Sequence, residues 1–153
     1  MQGPHSPAPP VDVQPASWRD LSSIRELEKL CFGRDAWPWI DTLAALTFPQ
    51  TVRLKAVSDE FVVGFIFGDQ RRLKRTGWIA SIGVHPDYRR RGIGRTLLVA
   101  CEDLLGMPRV RLSLRGSNDA ALRLYQQAGY VRIDTWKRYY RDGEDAIIME
   151  KVR

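Results

Sequence analysis

The chain has 153 residues, 44% of them hydrophobic and 27% charged, which fits one globular domain with a sizeable core. Its apolar stretches fall far short of the roughly 20 residues that a membrane helix needs. Its proline-rich start also lacks the apolar centre of a secretory signal. With only two cysteines and two histidines, neither a disulfide framework nor a metal site is expected. We therefore predict a cytoplasmic, metal-free protein that does not associate with membranes.

The net charge of +6, from 24 basic and 18 acidic residues, indicates an anionic partner or a basic, well-solvated surface. Two basic runs, residues 71–75 and 89–91, would suit nucleic acid. The first run, however, lies between two strand-like segments, as a solvated hairpin loop does. No recognition helix, zinc finger or aromatic RNA-binding pattern accompanies either run. Nucleic acid is therefore not expected as a partner.

The N-terminal segment, residues 1–10, contains four prolines and predicts a disordered tail ahead of a domain over 11–153. A short strand over 11–14 and two helices follow. Ser17, Asp20 or Ser22 can cap the first helix, and Pro38 precedes the second. Apolar residues at helical spacing mark the helices: Leu21, Ile24, Leu27, Leu30 and Cys31 in the first, and Ile40, Leu43, Ala44 and Leu46 in the second.

From residue 51 the pattern becomes that of strands, predicted over 51–58, 61–69 and 77–84. A helix then ends at Gly106, and a strand follows over 109–114. Ser117 is expected to cap a further helix that stops at Gly129, and strands over 130–140 and 146–152 form a final hairpin. The order β-α-α-β-β-β-α-β-α-β-β predicts an α/β fold with one mixed sheet and helices on both faces.

A glycine-rich turn, residues 89–94, separates the strand that ends near residue 84 from the next helix. Gly92 and Gly94 allow successive backbone N–H groups to point at one spot, where the helix dipole adds positive potential. This geometry favours a pyrophosphate. The turn matches neither a P-loop nor a dinucleotide fingerprint, which would need Gly or Ala where Leu97 stands. Four arginines surround the turn and can add phosphate contacts: Arg89, Arg90, Arg91 and Arg95.

The motif Arg89-x-x-Gly92-x-Gly94 resembles the acetyl-CoA-binding motif of the GNAT superfamily of N-acetyltransferases. Segments 30–39, 115–130 and 139–149 resemble the ribosomal-protein alanine N-acetyltransferases, the branch that modifies protein N-termini. The resemblance spans residues 11–152. It implies the GNAT fold, acetyl-CoA as co-substrate and an acyltransferase activity.

The resemblance also implies which residues contact acetyl-CoA. The strand backbone of residues 82–84 would pair with the pantetheine arm as an added strand would. A backbone N–H near Val84 could hold the oxyanion, provided that Gly83 permits a bulge that opens the strand away from its neighbour. The glycine-rich turn would hold the pyrophosphate, and Asn118 would contact the cofactor from the next helix. The implied cofactor-binding residues are Ile82, Gly83, Val84, Arg89, Arg90, Arg91, Gly92, Ile93, Gly94, Arg95 and Asn118.

Tyr125 is, by the same resemblance, the general acid that protonates the leaving thiolate. Where the branch carries a glutamate as proton acceptor, this chain has Ser113. A serine hydroxyl cannot accept a proton near neutral pH, but it can orient a water that does. The backup bases are Glu144, Asp145 and His85. Four aromatic residues are the acceptor-site candidates: Trp37, Trp39, Tyr139 and Tyr140.

The missing glutamate favours one class of acceptor. An α-amine, with a pKa of about 7.7 to 8.0, is partly neutral at pH 7, whereas a lysine amine, with a pKa of about 10.4, is almost fully protonated. We therefore predict transfer of acetyl to the N-terminal α-amine of a protein. The alternatives are a small amine such as a polyamine or an antibiotic, and a CoA-binding regulatory module that has lost catalysis. The chain is expected to be a monomer or a homodimer.

Overall fold

The computed structural model describes residues 10–153, so the tail predicted over 1–10 lies outside the described residues except for Pro10. The elements follow the predicted order, with short 3-10 turns between some of them. They are β1 Asp12–Pro15, α1 Leu21–Phe32, α2 Trp39–Thr47, β2 Thr51–Ser58, β3 Phe61–Arg71, β4 Thr76–Val84, α3 Ile93–Leu105, β5 Arg109–Arg115, α4 Asp119–Gln127, β6 Val131–Trp136 and β7 Ala146–Val152.

The strands form one mixed sheet in the order β1-β2-β3-β4-β5-β7-β6. Only β4 and β5 run parallel, and every other neighbouring pair is antiparallel. The parallel pair is short, because it joins only residues 76–78 to residues 109–111. Beyond Trp78 the two strands separate, and the sheet opens at its centre. The predicted α/β fold with a single mixed sheet is confirmed.

The bulge in β4 lies at Ala80 rather than at Gly83, where the sequence predicted it. Pairing with β3 is continuous through Gly83, whereas the register shifts where Ser81 and Ile79 oppose consecutive residues of β3. Gly83 is required by packing instead. A Cβ at that position would lie 2.8 Å from the Phe65 ring, closer than real side chains approach.

Two hydrophobic layers cover the faces of the sheet. Helices α3 and α4 cover one face with a large core that includes Leu97, Cys101 and Tyr125. Helices α1 and α2 pack on strands β2 to β4 of the other face, around Phe65 and Phe67. Helices on both faces are thus confirmed. None of the helices in residues 10–153 has the length and hydrophobicity to cross a bilayer.

Helical spacing misidentified some core positions. Leu30 and Ile40 fit the apolar pattern but are each 57% exposed. Helix α1 instead buries Glu28, whose carboxylate accepts hydrogen bonds from Thr42 of α2, at 3.0 Å, and from Arg25. A buried polar contact therefore joins the two helices.

Two further predictions about local structure were wrong. Asn118, and not Ser117, caps α4, since its side-chain oxygen accepts from the Ala121 N–H at 3.2 Å. The Ser117 hydroxyl donates to Glu144 instead, at 2.6 Å. Strand β6 ends at Trp136, four residues before the predicted end, because residues 137–145 form a loop that folds back over β5.

Candidate active site

The loop between β4 and α3 has the backbone geometry of an anion cradle. Arg90 and Gly92 both have positive φ, 63° and 79°. Gly92 is the N-cap of α3 and no side chain caps this helix. The helix opens with the Thr96 N–H donating to the Gly92 carbonyl at 3.0 Å. The preceding N–H groups thus have no partner within the helix, at the positive end of its dipole.

Two residues of this loop contribute backbone only. The Ile93 side chain is 5% exposed and belongs to the core beneath α3. Gly94 has no side chain, and a Cβ there would meet Leu124 and Val84 only at ordinary contact distances, 3.5 and 3.8 Å. The protein itself therefore tolerates a side chain at position 94, and glycine leaves the backbone accessible to a ligand from outside.

The four predicted arginines lie around the loop, but they are engaged differently. Arg89 donates from Nε to the Val84 carbonyl at 3.2 Å, which braces the end of β4. Arg95 donates to the Gln127 carbonyl at the end of α4. Arg91 stacks over the Tyr88 ring, and Arg90 is exposed. Of these four arginines, only Arg90 and Arg91 have guanidinium groups that form no hydrogen bond within residues 10–153.

The open edge of β4 runs directly into this cradle. Residues 82–84 pair with residues 64–66 of β3, whereas their other edge, beyond the point where β5 departs, has no strand partner within residues 10–153. The Val84 carbonyl accepts from Arg89 and from the half-buried Cys31 thiol, at 3.4 Å. An extended ligand can add along this edge as a further strand would.

Tyr125 and Ser113 lie on opposite faces of β5, and Tyr140 lies near both. Tyr125 projects from α4 into the core and is 6% exposed. Burial raises its pKa, with a smaller contribution from Tyr140. Burial likewise raises the pKa of Tyr140, while Arg115 and the Ser113 hydroxyl partly offset this rise. The gap where β4 and β5 separate connects the two faces of the sheet.

Arg115, at the end of β5, ties together the two loops that flank this opening. Its guanidinium bonds to Asp35 in the α1–α2 loop at 2.8 and 3.0 Å, and to Asp142 in the β6–β7 loop at 2.7 Å. It also lies over the Tyr140 ring, 4.2 Å from its centroid. The hydrogen bonds to Asp35 raise the pKa of Arg115, so the guanidinium is permanently charged.

The structure separates the four aromatic acceptor candidates. Tyr139 and Tyr140 contact each other edge to face in the β6–β7 loop, 5.1 Å apart. Trp37 instead stacks on Phe67 at 6.0 Å, as part of the α1 and α2 layer. Trp39 is 56% exposed at the start of α2. Trp37 is thus primarily a packing residue, while Tyr140 lies beside Ser113 and Tyr125.

The three backup bases are already engaged. Glu144 accepts from the Ser117 N–H and hydroxyl, contacts that lower its pKa. Asp145 accepts from the Arg138 N–H and from Lys137, which lowers its pKa too. His85 accepts the Asp87 N–H at Nδ1. Lowered pKa values and occupied lone pairs make the two carboxylates poor proton acceptors.

Sequence reasoning missed Asp35, Arg115, Trp78 and Trp136. The ion pair of Asp35 and Arg115 spans 80 residues, so no local pattern could reveal it. Trp78 and Trp136 stack with centroids 6.0 Å apart, although they come from β4 and β6. A half-exposed tryptophan on each of two strands was the only signal available.

Comparison with known proteins decides the family. The family model described as "Acetyltransferase (GNAT) family" matches residues 18–130. The chain belongs to the GNAT family of acetyltransferases. The predictions of the family, of its fold and of an acyltransferase are therefore confirmed.

Relatives of this GNAT chain match over most of their length. The N-alpha-acetyltransferase RimI of Mycobacterium tuberculosis is 36% identical over 148 residues, covering 93% of this chain and 92% of the relative. The ribosomal-protein-S18-alanine N-acetyltransferase of Escherichia coli superposes with a TM-score of 0.84 at 27% identity, with 94% of each chain covered. Arabidopsis thaliana NAA60, solved in complex with acetyl-CoA, has the same fold: TM-score 0.83, 17% identity, 94% of this chain and 98% of that chain covered.

Proposed function

We propose that this GNAT protein transfers the acetyl group of acetyl-CoA to the α-amine of a protein N-terminus. The observation that carries the proposal is the open edge of β4, residues 82–84, ending at the uncapped start of α3. An extended amide chain that ends in a pyrophosphate fits both parts at once. The names of the RimI relatives support the protein N-terminus as the acceptor.

The residues present fit acetyl-CoA as the co-substrate. Backbone groups of residues 82–84 can pair with the pantetheine amides, and the cradle over 90–95 can accept the diphosphate. Arg90 and Arg91 add positive charge from side chains. The bound thioester supplies an activated acetyl carbonyl to a neutral amine. Asn118 stays a candidate contact, although its side-chain oxygen already caps α4.

Tyr125 is the proposed general acid. The hydroxyl is protonated at neutral pH, so it can donate a hydrogen bond or a proton to the sulfur as the carbon–sulfur bond breaks. Its place in α4, beside the opening between β4 and β5, supports this role. The neighbouring Tyr140 keeps the surroundings of the hydroxyl polar without a carboxylate that would compete for its proton.

Ser113 is proposed to hold the water that accepts the amine proton. It lies half-buried on β5, next to the Tyr140 hydroxyl, so two hydroxyl groups are available to orient one water. The engaged carboxylates of Glu144 and Asp145 leave this route as the best supported one. It is slower than a carboxylate base, a loss that an α-amine tolerates better than a lysine does.

Two measurements test the proposal. Calorimetry with acetyl-CoA should show 1:1 binding, and thiol release should show turnover with peptides that begin with alanine. The same peptides blocked at the α-amine, but with a free lysine, should react at least tenfold more slowly. Binding of CoA without turnover on any amine would identify a regulatory module, and preferred turnover of spermidine would identify a small-amine enzyme.

A further inference from the structure

A track of contacting aromatic rings leads away from the candidate active site, across the sheet face that carries Ser113. It runs from Tyr140 through Tyr139 and Trp136 to Trp78, with successive ring centroids 5.1, 5.4 and 6.0 Å apart. Tyr139 is 54% and Trp136 is 38% exposed, so the track lies at the surface. Rings in a row offer a continuous strip of apolar area on which an extended polypeptide can pack.

The track ends at a basic loop, residues 71–75, between β3 and β4. The Arg71 guanidinium lies over the Trp78 ring, 4.9 Å from its centroid. Arg72, Lys74 and Arg75 follow in the loop. Within residues 10–153, no carboxylate lies at ion-pair distance from any of these four cations.

The arginines of the adjacent strand β5 form ion pairs, unlike the cations of the basic loop. Arg109 and Arg111 of β5 both pair with Glu150, at 3.1 and 2.6 Å. Their guanidinium groups are held in ion pairs within the protein, whereas the cations of the basic loop are exposed and form none within residues 10–153. The loop is thus the part of this sheet edge that is suited to a negatively charged partner.

We propose that the aromatic track and the basic loop recognise an acidic segment of the acceptor polypeptide, several residues after the acetylated amine. This inference rests on the proposed function, because the amine has to lie at the Tyr140 end. The four steps from Tyr140 to Arg71 cover at most roughly 20 Å, the reach of about six extended residues. Acidic side chains at positions 6–8 of the acceptor therefore meet the loop.

Continuity and shape favour a polypeptide over other anions. The track begins where the acceptor amine reacts, so a bound N-terminus already holds its own following residues at high effective concentration. At the far end, Lys74, Arg75 and Arg109 border a depression of about 380 Å³, which has room for carboxylate side chains. A flat lipid surface cannot follow this concave edge.

Four peptides of twelve residues test the proposal. All begin with alanine and share their first four residues. Three carry Glu, Gln or Lys at positions 6–8, and the fourth carries Glu at positions 10–12, past the loop. We expect the KM of the first peptide to be about five- to tenfold below that of the Gln peptide, with kcat within twofold. The fourth peptide should behave like the Gln peptide, and 0.5 M salt should remove the difference.

Two triple variants locate the effect. Arg72→Gln/Lys74→Gln/Arg75→Asn removes the charge of the loop, and asparagine suits the left-handed backbone at position 75, where φ is 51°. Arg19→Gln/Lys29→Gln/Arg123→Gln removes the same charge from exposed positions elsewhere. Only the loop variant should lose the preference for the acidic peptide, and both should acetylate a four-residue peptide as the wild type does.

Peptide binding to the CoA-saturated protein, measured by fluorescence anisotropy, separates this inference from the proposed function. One outcome would be that no peptide is acetylated, yet the acidic peptide binds tighter than the Gln peptide and the loop variant abolishes this difference. That outcome would support recognition of the acidic segment and contradict the proposed acetyltransferase function. Equal KM values for the Glu and Gln peptides, or a preference that survives in the loop variant, overturn the recognition. So does a 20-nucleotide RNA that binds the loop when acidic peptides do not.

Discussion

The guanidinium of Arg115 donates two hydrogen bonds, 2.8 and 3.0 Å long, to the carboxylate of Asp35, which lies 80 positions earlier in the sequence. The same group bonds to Asp142, so it fastens the α1–α2 loop to the β6–β7 loop. A planar guanidinium fork can hold both partners in fixed directions, whereas a lysine ammonium cannot. Tyr139 and Tyr140 belong to the β6–β7 loop, so their positions depend on these contacts of Arg115.

Arg115→Lys should therefore weaken acceptor binding more than it slows the reaction. We expect the KM for a peptide acceptor to rise about tenfold, with kcat within threefold and the KM for acetyl-CoA unchanged. Asp35→Asn should have a similar effect, and the double variant should be no worse than Arg115→Lys alone, because both changes break one unit. Thiol-release kinetics with the four proteins measure this.

Arg111→Lys is the matched control for Arg115→Lys. Arg111 lies on the same face of β5 and pairs with Glu150 at 2.6 Å, but it is bound to no acceptor loop. Its replacement should leave the peptide KM within twofold of the wild type. An equal rise of the peptide KM in both variants would mean that loss of any ion pair on β5 weakens acceptor binding. That result would contradict a specific role of Arg115 in holding the two loops together.

Tyr125→Phe should lower kcat by roughly 10² to 10⁴, as expected for loss of a general acid. Acetyl-CoA affinity, measured by calorimetry, should stay within twofold. The Tyr125 hydroxyl has no hydrogen-bond partner within residues 10–153, so the melting temperature should change little. Unchanged turnover in the phenylalanine variant would remove Tyr125 from the mechanism.

The pH profile follows from the raised pKa of Tyr125. An acid whose pKa lies above its usual value of about 10 stays protonated throughout the alkaline range. The rate should therefore rise as the acceptor amine loses its proton, between about pH 7 and pH 8.5, and then stay level to about pH 10. Measurements of kcat/KM for the acceptor from pH 6 to pH 10 test this. A fall in rate between pH 8 and pH 9 would indicate a more acidic donor.

Ser113→Glu should restore a carboxylate base next to Tyr140. We expect kcat/KM with an α-amine acceptor to rise about tenfold at pH 7, where most of the amine still carries its proton. The gain should shrink by pH 9, because the amine is then already neutral. Ser113→Ala is the companion variant and should lose a few-fold at most. A large loss of activity in Ser113→Glu would contradict the idea that the wild type lacks a base.

Local patterns predicted the elements because each carries its own signal. Strand β2 and helix α3 end where their turn residues predict, at Ser58 before the Asp59-Glu60 turn and at Leu105 before Gly106. The cradle over 89–94 was also predictable, since two glycines and a helix start suffice to define it. Asn118 shows the limit, because Asn118 and Ser117 are equally good caps, and the pairing of Ser117 with Glu144 decides between them.

Features that depend on distant contacts could not be predicted. The bulge at Ala80 reflects how β4 adapts to β3 on one side while leaving β5 on the other. The separation of Trp37 from Tyr140 depends on the stacking of Trp37 on Phe67, which only the folded α1 and α2 layer creates. The spacing of aromatic residues along the chain carries no information on either point.

The two glycines that cap α3 offer a test that separates the cradle from helix stability. Gly92 and Gly106 stand at opposite ends of this helix, with φ of 79° and 61°, and a Cβ at either position would meet no close neighbour. Alanine at either position has to adopt a left-handed conformation, which costs about 1 to 2 kcal/mol. Both Gly92→Ala and Gly106→Ala should thus lower the melting temperature by about 2 to 8 °C.

Only Gly92→Ala should weaken CoA binding, because Gly92, unlike Gly106, lies in the proposed cradle for the pyrophosphate. We expect about a tenfold loss of affinity in calorimetry for Gly92→Ala and less than a twofold change for Gly106→Ala. The shared cost in stability makes each variant the control for the other. Equal losses of CoA affinity in the two variants would show that binding depends on the stability of α3 rather than on the geometry of the cradle. Unchanged CoA affinity in both variants would mean that the diphosphate binds elsewhere.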